Sequence, residues 1–420
     1  MKRSVLYLFL FIIGLIGFGS CSDDSLDVDS VNKQTILVFM PWSGAGLHPY
    51  LLRNLDSIES AITAAKGLDG RLLVMLATSA SQASLYEVTY NNGQIQHTTI
   101  KEYSDNSYYT VEGMTQLFND VKTNAEALNY ALMIGGHGMG WLYKSDWTTS
   151  YDAKSFTGNS KHGADKGIVD NMMPSFTQTR FFGNTTDVSN AFDIADLAAA
   201  IQGAGMKMQY ILFDDCYMAN VETAYELKDA TNFLIGSTCE IMSEGMPYKT
   251  MWSSLATATP NYTTAANNFL TFYSNYSIDG YAYPYGALSV IDCRNLDGLA
   301  KLMRGINERY TFADSLRDSL QVLDGFHTPI FYDLGDYVAH LCKNNDMLND
   351  FNSTLSNVIK TSVHTDEVYT LLYYPYESGR TFKLNRYSGI TISDPSQNSM
   401  AVKGKEKTAW WKATHTSANN

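Results

Sequence analysis

The sequence predicts an α/β fold, a sandwich in which a largely parallel central sheet is covered by helices on both faces. Three observations predict it. Short continuous apolar runs recur, such as YALMIG at 130–135 and YILF at 210–213. They are too short for helices and too evenly apolar for half-exposed strands. Segments with apolar residues at helical spacing alternate with these runs, the pattern of parallel strands joined by helical crossovers. Finally, two runs lead directly into His137 and Cys216. In open α/β sheets the working residues gather just past the carboxyl ends of strands.

The first element is an export signal. Lys2 and Arg3 precede an apolar run over 5–18, which is short for a membrane span, and small residues Gly19 and Ser20 lead to Cys21. This predicts a lipoprotein signal peptide over 1–20, lipidation of Cys21, and a flexible polar tether over 21–34. The adjoining acidic Ser22-Asp23-Asp24 resembles a bacterial surface-export signal, so the expected location is the outer membrane or cell surface.

TILVFMPW at 35–42 is the first strand expected in the mature chain. A helix comes next, with Leu51, Leu52, Leu55, Ile58 and Ile62 at helical spacing and Gly67 and Gly70 at its end. RLLVMLAT at 71–78 is the second strand. LYEVTY-NNG-QIQHTTI at 85–100 reads as a β-hairpin turning at Asn91-Asn92-Gly93. A helix over 115–128 feeds the strand that leads to His137.

Residues 144–186 show no period and are rich in Ser, Thr, Gly, Asn and Lys, which predicts a long loop. A helix over 187–202 leads to the strand that runs into Cys216. Another over 219–229 leads to FLIGSTC at 233–239, and a further strand lies at 285–293. These elements form one expected domain over 35–293. Mostly helical patterns and short strands at 370–374 and 389–393 make an α/β extension over 294–420, packed on the same domain.

The bulk numbers narrow the function. The formal net charge is −13 and no basic stripe is present, which argues against a nucleic-acid partner. The 28 tyrosines suit sheets and recognition surfaces equally. Apart from Cys21 there are four cysteines; Cys239 and Cys293 end apolar runs and read as packing residues rather than halves of disulfides.

Cys216 and His137 differ from these because they are delivered together at two strand ends. A thiol is a weak nucleophile until deprotonated, and a nearby imidazole holds it as the thiolate. His137 lies between Gly136 and Gly138, so backbone can approach a substrate closely there. A helix starting near Ala219 would add its positive end. The N–H groups of Cys216 and Gly138 are candidates for an oxyanion hole.

The stretches ALMIGGHGMGW (131–141), FDDCYMANVETAYEL (213–227) and FLIGSTCEIMSEGMPY (233–248) resemble the clostripain family of cysteine peptidases. Weaker echoes lie in TILVFMPW, DLGDYV (333–338) and SGITISDP (388–395). The resemblance implies a caspase-like α/β/α sandwich and a cysteine endopeptidase acting on peptide or protein substrates, with His137 as base and Cys216 as nucleophile. It also implies that Asp214 lies in the pocket for a basic P1 side chain, where a carboxylate pairs with Arg or Lys. Glu240 and Glu244 are further candidates for that pocket.

Two segments depart from the family pattern: FMPWSGAG replaces a more polar loop bearing Asp and Asn, and CEIMSEGMPY replaces the usual Glu- and Pro-bearing segment. The chemistry requires no cofactor. Many relatives carry calcium and cut themselves between His and Cys, so the resemblance makes calcium a candidate ligand and the 144–186 loop a candidate self-cleavage site. A peptidase with a non-basic P1 preference and a degenerate surface lipoprotein that binds peptide or glycan are the alternatives.

Overall fold

The computed structural model describes residues 31–44, 46–146, 191–278, 280–370 and 381–416. The signal peptide, Cys21, nearly all of the tether, the stretch 147–186 of the long loop and most of the expected strand at 370–374 lie outside them.

Chain from Lys33 onward forms one compact unit built on a nine-stranded sheet. Its strands are β1 (Gln34–Met40), β2 (Arg71–Ser79), β3 (Gln82–Asn91), β4 (Gln94–Tyr103), β5 (Asn129–Gly135), β6 (Met208–Asp214), β7 (Thr231–Gly236), β8 (Ala287–Asp292) and β9 (Ile359–His364). Their spatial order is 9-8-7-6-5-1-2-3-4. The five central strands, β7, β6, β5, β1 and β2, run parallel. Antiparallel pairs finish both edges. The α/β/α sandwich implied by the sequence is therefore present, with its parallel part confined to the centre.

Side-chain alternation along the strands divides the interior into two cores. Ile36, Val38 and Met40 of β1 point to one core, Leu37 and Phe39 to the other. The first core is closed by α1 (His48–Ala65), and by Tyr248–Leu255 and Tyr262–Ser274 further along the chain. Helix α1 starts with Pro49 in its first turn and ends at Lys66 in the left-handed conformation, φ 59°. Its buried Leu51, Leu55, Ile58 and Ile62 contribute roughly 2 kcal/mol each. The second core is closed by α2 (Val111–Asn124), α3 (Ile194–Gly203) and α4 (Val221–Leu227), with Leu296–Asn307 and the C-terminal helices.

The β3–β4 hairpin turns where the sequence placed it. Asn92 and Gly93 both have positive φ, 52° and 83°, as a two-residue turn of this hand requires.

Two differences affect the site. Helix α4 begins at Val221 behind the Asn220 cap, so residues 217–220 are not helical; Tyr217 and Ala219 bond instead to Cys239 and Ser237 of the segment after β7. The expected help from a helix starting at Ala219 is thus replaced by loop contacts. Beyond Cys293 the chain also adds β9 to the main sheet. None of the described helices is long and apolar enough to cross a membrane.

Candidate active site

Strands β5 and β6 lie side by side, and Gly135 pairs with Asp214 at the end of their ladder. His137 and Cys216 each come two residues later, so the register carries both to the same edge of the sheet. They line one cleft with Gly136, Asp214, Asp215, Glu240, Ile241 and Met242, closed on another side by Leu47, Leu51 and Asn54 around α1. Both His137 and Cys216 are half-buried, reachable from the cleft yet held by neighbours.

Trp42, just past β1, sets its ring edge-on to the His137 imidazole, with centroids 4.5 Å apart and planes at 89°. The Trp42 indole is itself tied down, donating to the Gly44 carbonyl at 3.2 Å. The polar loop expected from relatives is thus replaced here by a buried aromatic support. On the other side, the Ile241 N–H donates to Cys216 Sγ at 3.4 Å, and Sγ lies 3.8 Å from the Ile241 carbonyl. A backbone N–H aimed at sulfur favours the thiolate.

Asp214 is 7 % exposed. Its Oδ1 accepts the Met246 N–H at 2.9 Å, and Gly245 packs directly on the carboxyl: a β-carbon there would lie 2.6 Å from Oδ1. Burial pushes the Asp214 carboxyl up to about 7, and the charge of Glu244 adds to the rise. The Tyr248 hydroxyl opposes it, short of a well-formed hydrogen bond: neither Asp214 Oδ2 nor that hydroxyl has a partner of good geometry. Adjacent Asp215 is held well above the carboxylate range by burial and by the Asp214 charge. A cation entering the cleft would relieve both effects.

The structure brings His137, Gly138, Asp214, Cys216 and Glu240 together. Glu240 is buried and accepts from the hydroxyls of Tyr217 (2.8 Å) and Thr370 (2.6 Å). Glu244 pairs its carboxylate with Arg53 at 3.4 Å and does not itself line the cleft, though its charge reaches Asp214. Trp42, Asp215, Tyr217 and Ile241 were not singled out by sequence. Asp215 was visible in the DDC motif, whereas Trp42 and Ile241 are recognisable only once strand order is known.

All four described cysteines are free thiols. Cys239 and Cys293 are buried, and burial raises each thiol to about 12, which fits packing rather than chemistry. A calcium site would need several oxygen ligands; among the described residues no group of three or more His, Cys, Asp or Glu is arranged to hold a metal ion.

A layered α/β sheet with a thiol, an imidazole and a buried carboxylate at adjoining strand ends defines a class of cysteine hydrolase. Comparison with known proteins makes that class specific. The sequence profile of the clostripain family matches residues 160–407. A secreted C11 cysteine protease from Bacteroides thetaiotaomicron, "iotapain", is similar at 39% identity over 92% of this chain and 99% of its own, with a TM-score of 0.79. A clostripain from the same species, solved in complex with the peptide inhibitor BTN-VLTK-AOMK, is 45% identical over 56% of this chain and all of its own (TM-score 0.52). An inactive zymogen C11 protease from Parabacteroides distasonis shares the fold, at 23% identity over 92% of this chain and 99% of its own (TM-score 0.72). No curated protein sequence matches. The chain belongs to the clostripain family and is a cysteine peptidase.

Proposed function

We propose that the chain is an endopeptidase that cleaves after Arg or Lys through a Cys216–His137 dyad. The observation that carries this reading is the shared register: two residues beyond the Gly135–Asp214 pair, both strands deliver a reactive side chain to one cleft. His137 takes the Cys216 proton, and the thiolate attacks the scissile carbonyl carbon. The N–H groups of Gly138 and Cys216 receive the oxyanion. The protonated His137 then gives its proton to the leaving amine, and water, deprotonated by His137, releases the acyl group and restores the thiol.

Asp214 supplies specificity. Its buried Oδ2 lacks a good partner, and an arginine or lysine side chain would provide one. The peptide VLTK of the inhibitor bound to the similar Bacteroides clostripain ends in lysine, which supports the same preference. The enzyme would act outside the cell, anchored to the membrane through a lipid on Cys21.

Fluorogenic peptides differing only at P1, assayed with wild type, Cys216→Ala and His137→Ala, test this reading. Turnover should favour Arg and Lys over neutral residues by about a hundredfold, the worth of a desolvated charge pair. Each variant should keep its melting temperature and lose hydrolysis by several orders of magnitude. Turnover by Cys216→Ala would overturn the mechanism; equal turnover at all P1 residues would overturn the specificity.

A further inference from the structure

The residue after the proposed nucleophile is strained and heavily supported. Tyr217 has φ 61°, in the left-handed region that a side-chain-bearing residue seldom occupies. Several contacts hold it there. Its N–H donates to the Cys239 carbonyl (3.0 Å), and its carbonyl accepts from Asn220 Nδ2 (2.7 Å). Its ring stacks on Phe331 with centroids 5.1 Å apart and planes 13° from parallel. Its hydroxyl donates to Glu240 Oε1 at 2.8 Å.

Glu240 takes a second hydroxyl on that same oxygen, from Thr370 at 2.6 Å. The next residue, Ile241, gives its N–H to Cys216 Sγ. Glu240 therefore links two neighbours of Cys216, bonded to one through its carboxylate and joined to the other through the chain.

We infer that Glu240 is a positioning residue for Cys216, not a ligand for a basic P1 group. By pinning Tyr217 it holds the 239–241 segment against the Cys216 turn and keeps the Ile241 N–H on the sulfur. Two hydroxyls, from Tyr217 and Thr370, hold the carboxylate by Oε1 and fix its orientation toward the Cys216 turn. Asp214, by contrast, keeps an oxygen without a good partner. The inference rests on Cys216 being the nucleophile.

The test compares Glu240→Ala, Glu240→Gln, Tyr217→Phe and the Glu240→Ala/Tyr217→Phe double variant in the full chain. Two quantities are read: the rate of Cys216 carboxamidomethylation by iodoacetamide, located by peptide mass mapping, and kcat and KM for peptides with Arg or Gln at P1. Tyr217→Phe and Glu240→Ala should each slow alkylation and kcat about tenfold, the size expected for one lost hydrogen bond. The Arg-to-Gln preference and KM should stay within about twofold, and the double variant should be no slower than Glu240→Ala, since both act through one bond. Glu240→Gln, whose amide oxygen can accept both hydroxyls, should recover most of the alkylation rate.

A tenfold loss of Arg preference in Glu240→Gln with alkylation unchanged would make Glu240 a substrate ligand and overturn the inference. Additive losses in the double variant would also overturn it. If Glu240→Ala does not fold, Tyr217→Phe and Glu240→Gln decide the matter alone. Retained hydrolysis in Cys216→Ala is a separate result, which would remove the catalytic reading and not the Glu240–Tyr217 bond.

Discussion

Gly138 packs directly against the backbone of Cys216. A β-carbon at position 138 would collide with the Cys216 carbonyl oxygen and come within 2.8 Å of Asp215 Cβ and 3.0 Å of Met218 Sδ. The His137 turn and the Cys216 turn therefore touch through backbone, a closeness that only glycine permits here.

Gly138→Ala should accordingly separate the two turns. We expect kcat/KM to fall by at least about a hundredfold, because a displacement near 1 Å between reacting groups costs that much. The melting temperature should fall by only a few degrees. Steady-state kinetics beside thermal unfolding check this, and an active Gly138→Ala enzyme would show that the turns can part without harm.

Asp214 sets a pH dependence. Its carboxyl is raised to about 7, so below that pH it is largely neutral and cannot pair with a cation. The rate kcat/KM for Arg and Lys substrates should therefore fall as pH drops through 7. Asp214→Asn should lower that rate above pH 7, converge with wild type well below it and so remove this limb, while iodoacetamide still alkylates Cys216. For stability the sign is opposite. A carboxyl whose folded value lies above its unfolded value favours the fold when protonated, and that contribution is lost as pH rises from about 4 to about 7. Wild type should lose stability relative to Asp214→Asn across that window, which urea titrations at several pH values would reveal.

Self-cleavage is expected between His137 and Cys216, at a basic residue of the loop over 144–186. Lys144 is a poor candidate because it is fastened: its N–H donates to Asp193 Oδ1 (2.8 Å) and its ammonium to the Ala191 carbonyl (3.0 Å). Lys154, Lys161, Lys166 and Arg180 remain. Intact-mass analysis should show two fragments in wild type and one full-length species in Cys216→Ala. A single full-length species in an active wild-type sample would show that no cut is needed.

Cys21→Ser should abolish metabolic labelling with fatty acid and release the protein from the membrane fraction. Labelling and membrane retention that persist in the variant would overturn Cys21 as the lipidation site.

Much of this was legible in sequence because buried parallel strands announce themselves. β1, β5 and β6 each hold a continuous apolar run at their centre, and the residues just past β5 and β6 could be read as chemistry without coordinates. β9 was missed for the complementary reason: IKTSVH is a half-exposed edge strand with no clean alternation, and it succeeds a helix directly. The supports of the site were hidden because they cross between distant segments. Trp42 reaches His137 only because β1 lies beside β5 in space, and the Ile241 N–H reaches Cys216 only because β6 lies beside β7. Glu240 and Glu244 looked equivalent in CEIMSEGMPY, and the fold separated them by turning one inward and the other toward Arg53.

The segment behind Cys216 is braced by the far end of the chain. The Thr391 N–H donates to the Ala219 carbonyl (3.1 Å), the Ser393 N–H to Glu222 (2.7 Å), and the Trp141 indole to Ser393 Oγ (2.9 Å). These bonds tie the loops after both His137 and Cys216 to residues translated more than 170 positions later. A chain cut short before Thr391 would keep its thiol and imidazole and lose this brace. The wall behind the nucleophile is in this way a mosaic of early and late chain, so a change far from the cleft in sequence still reaches it.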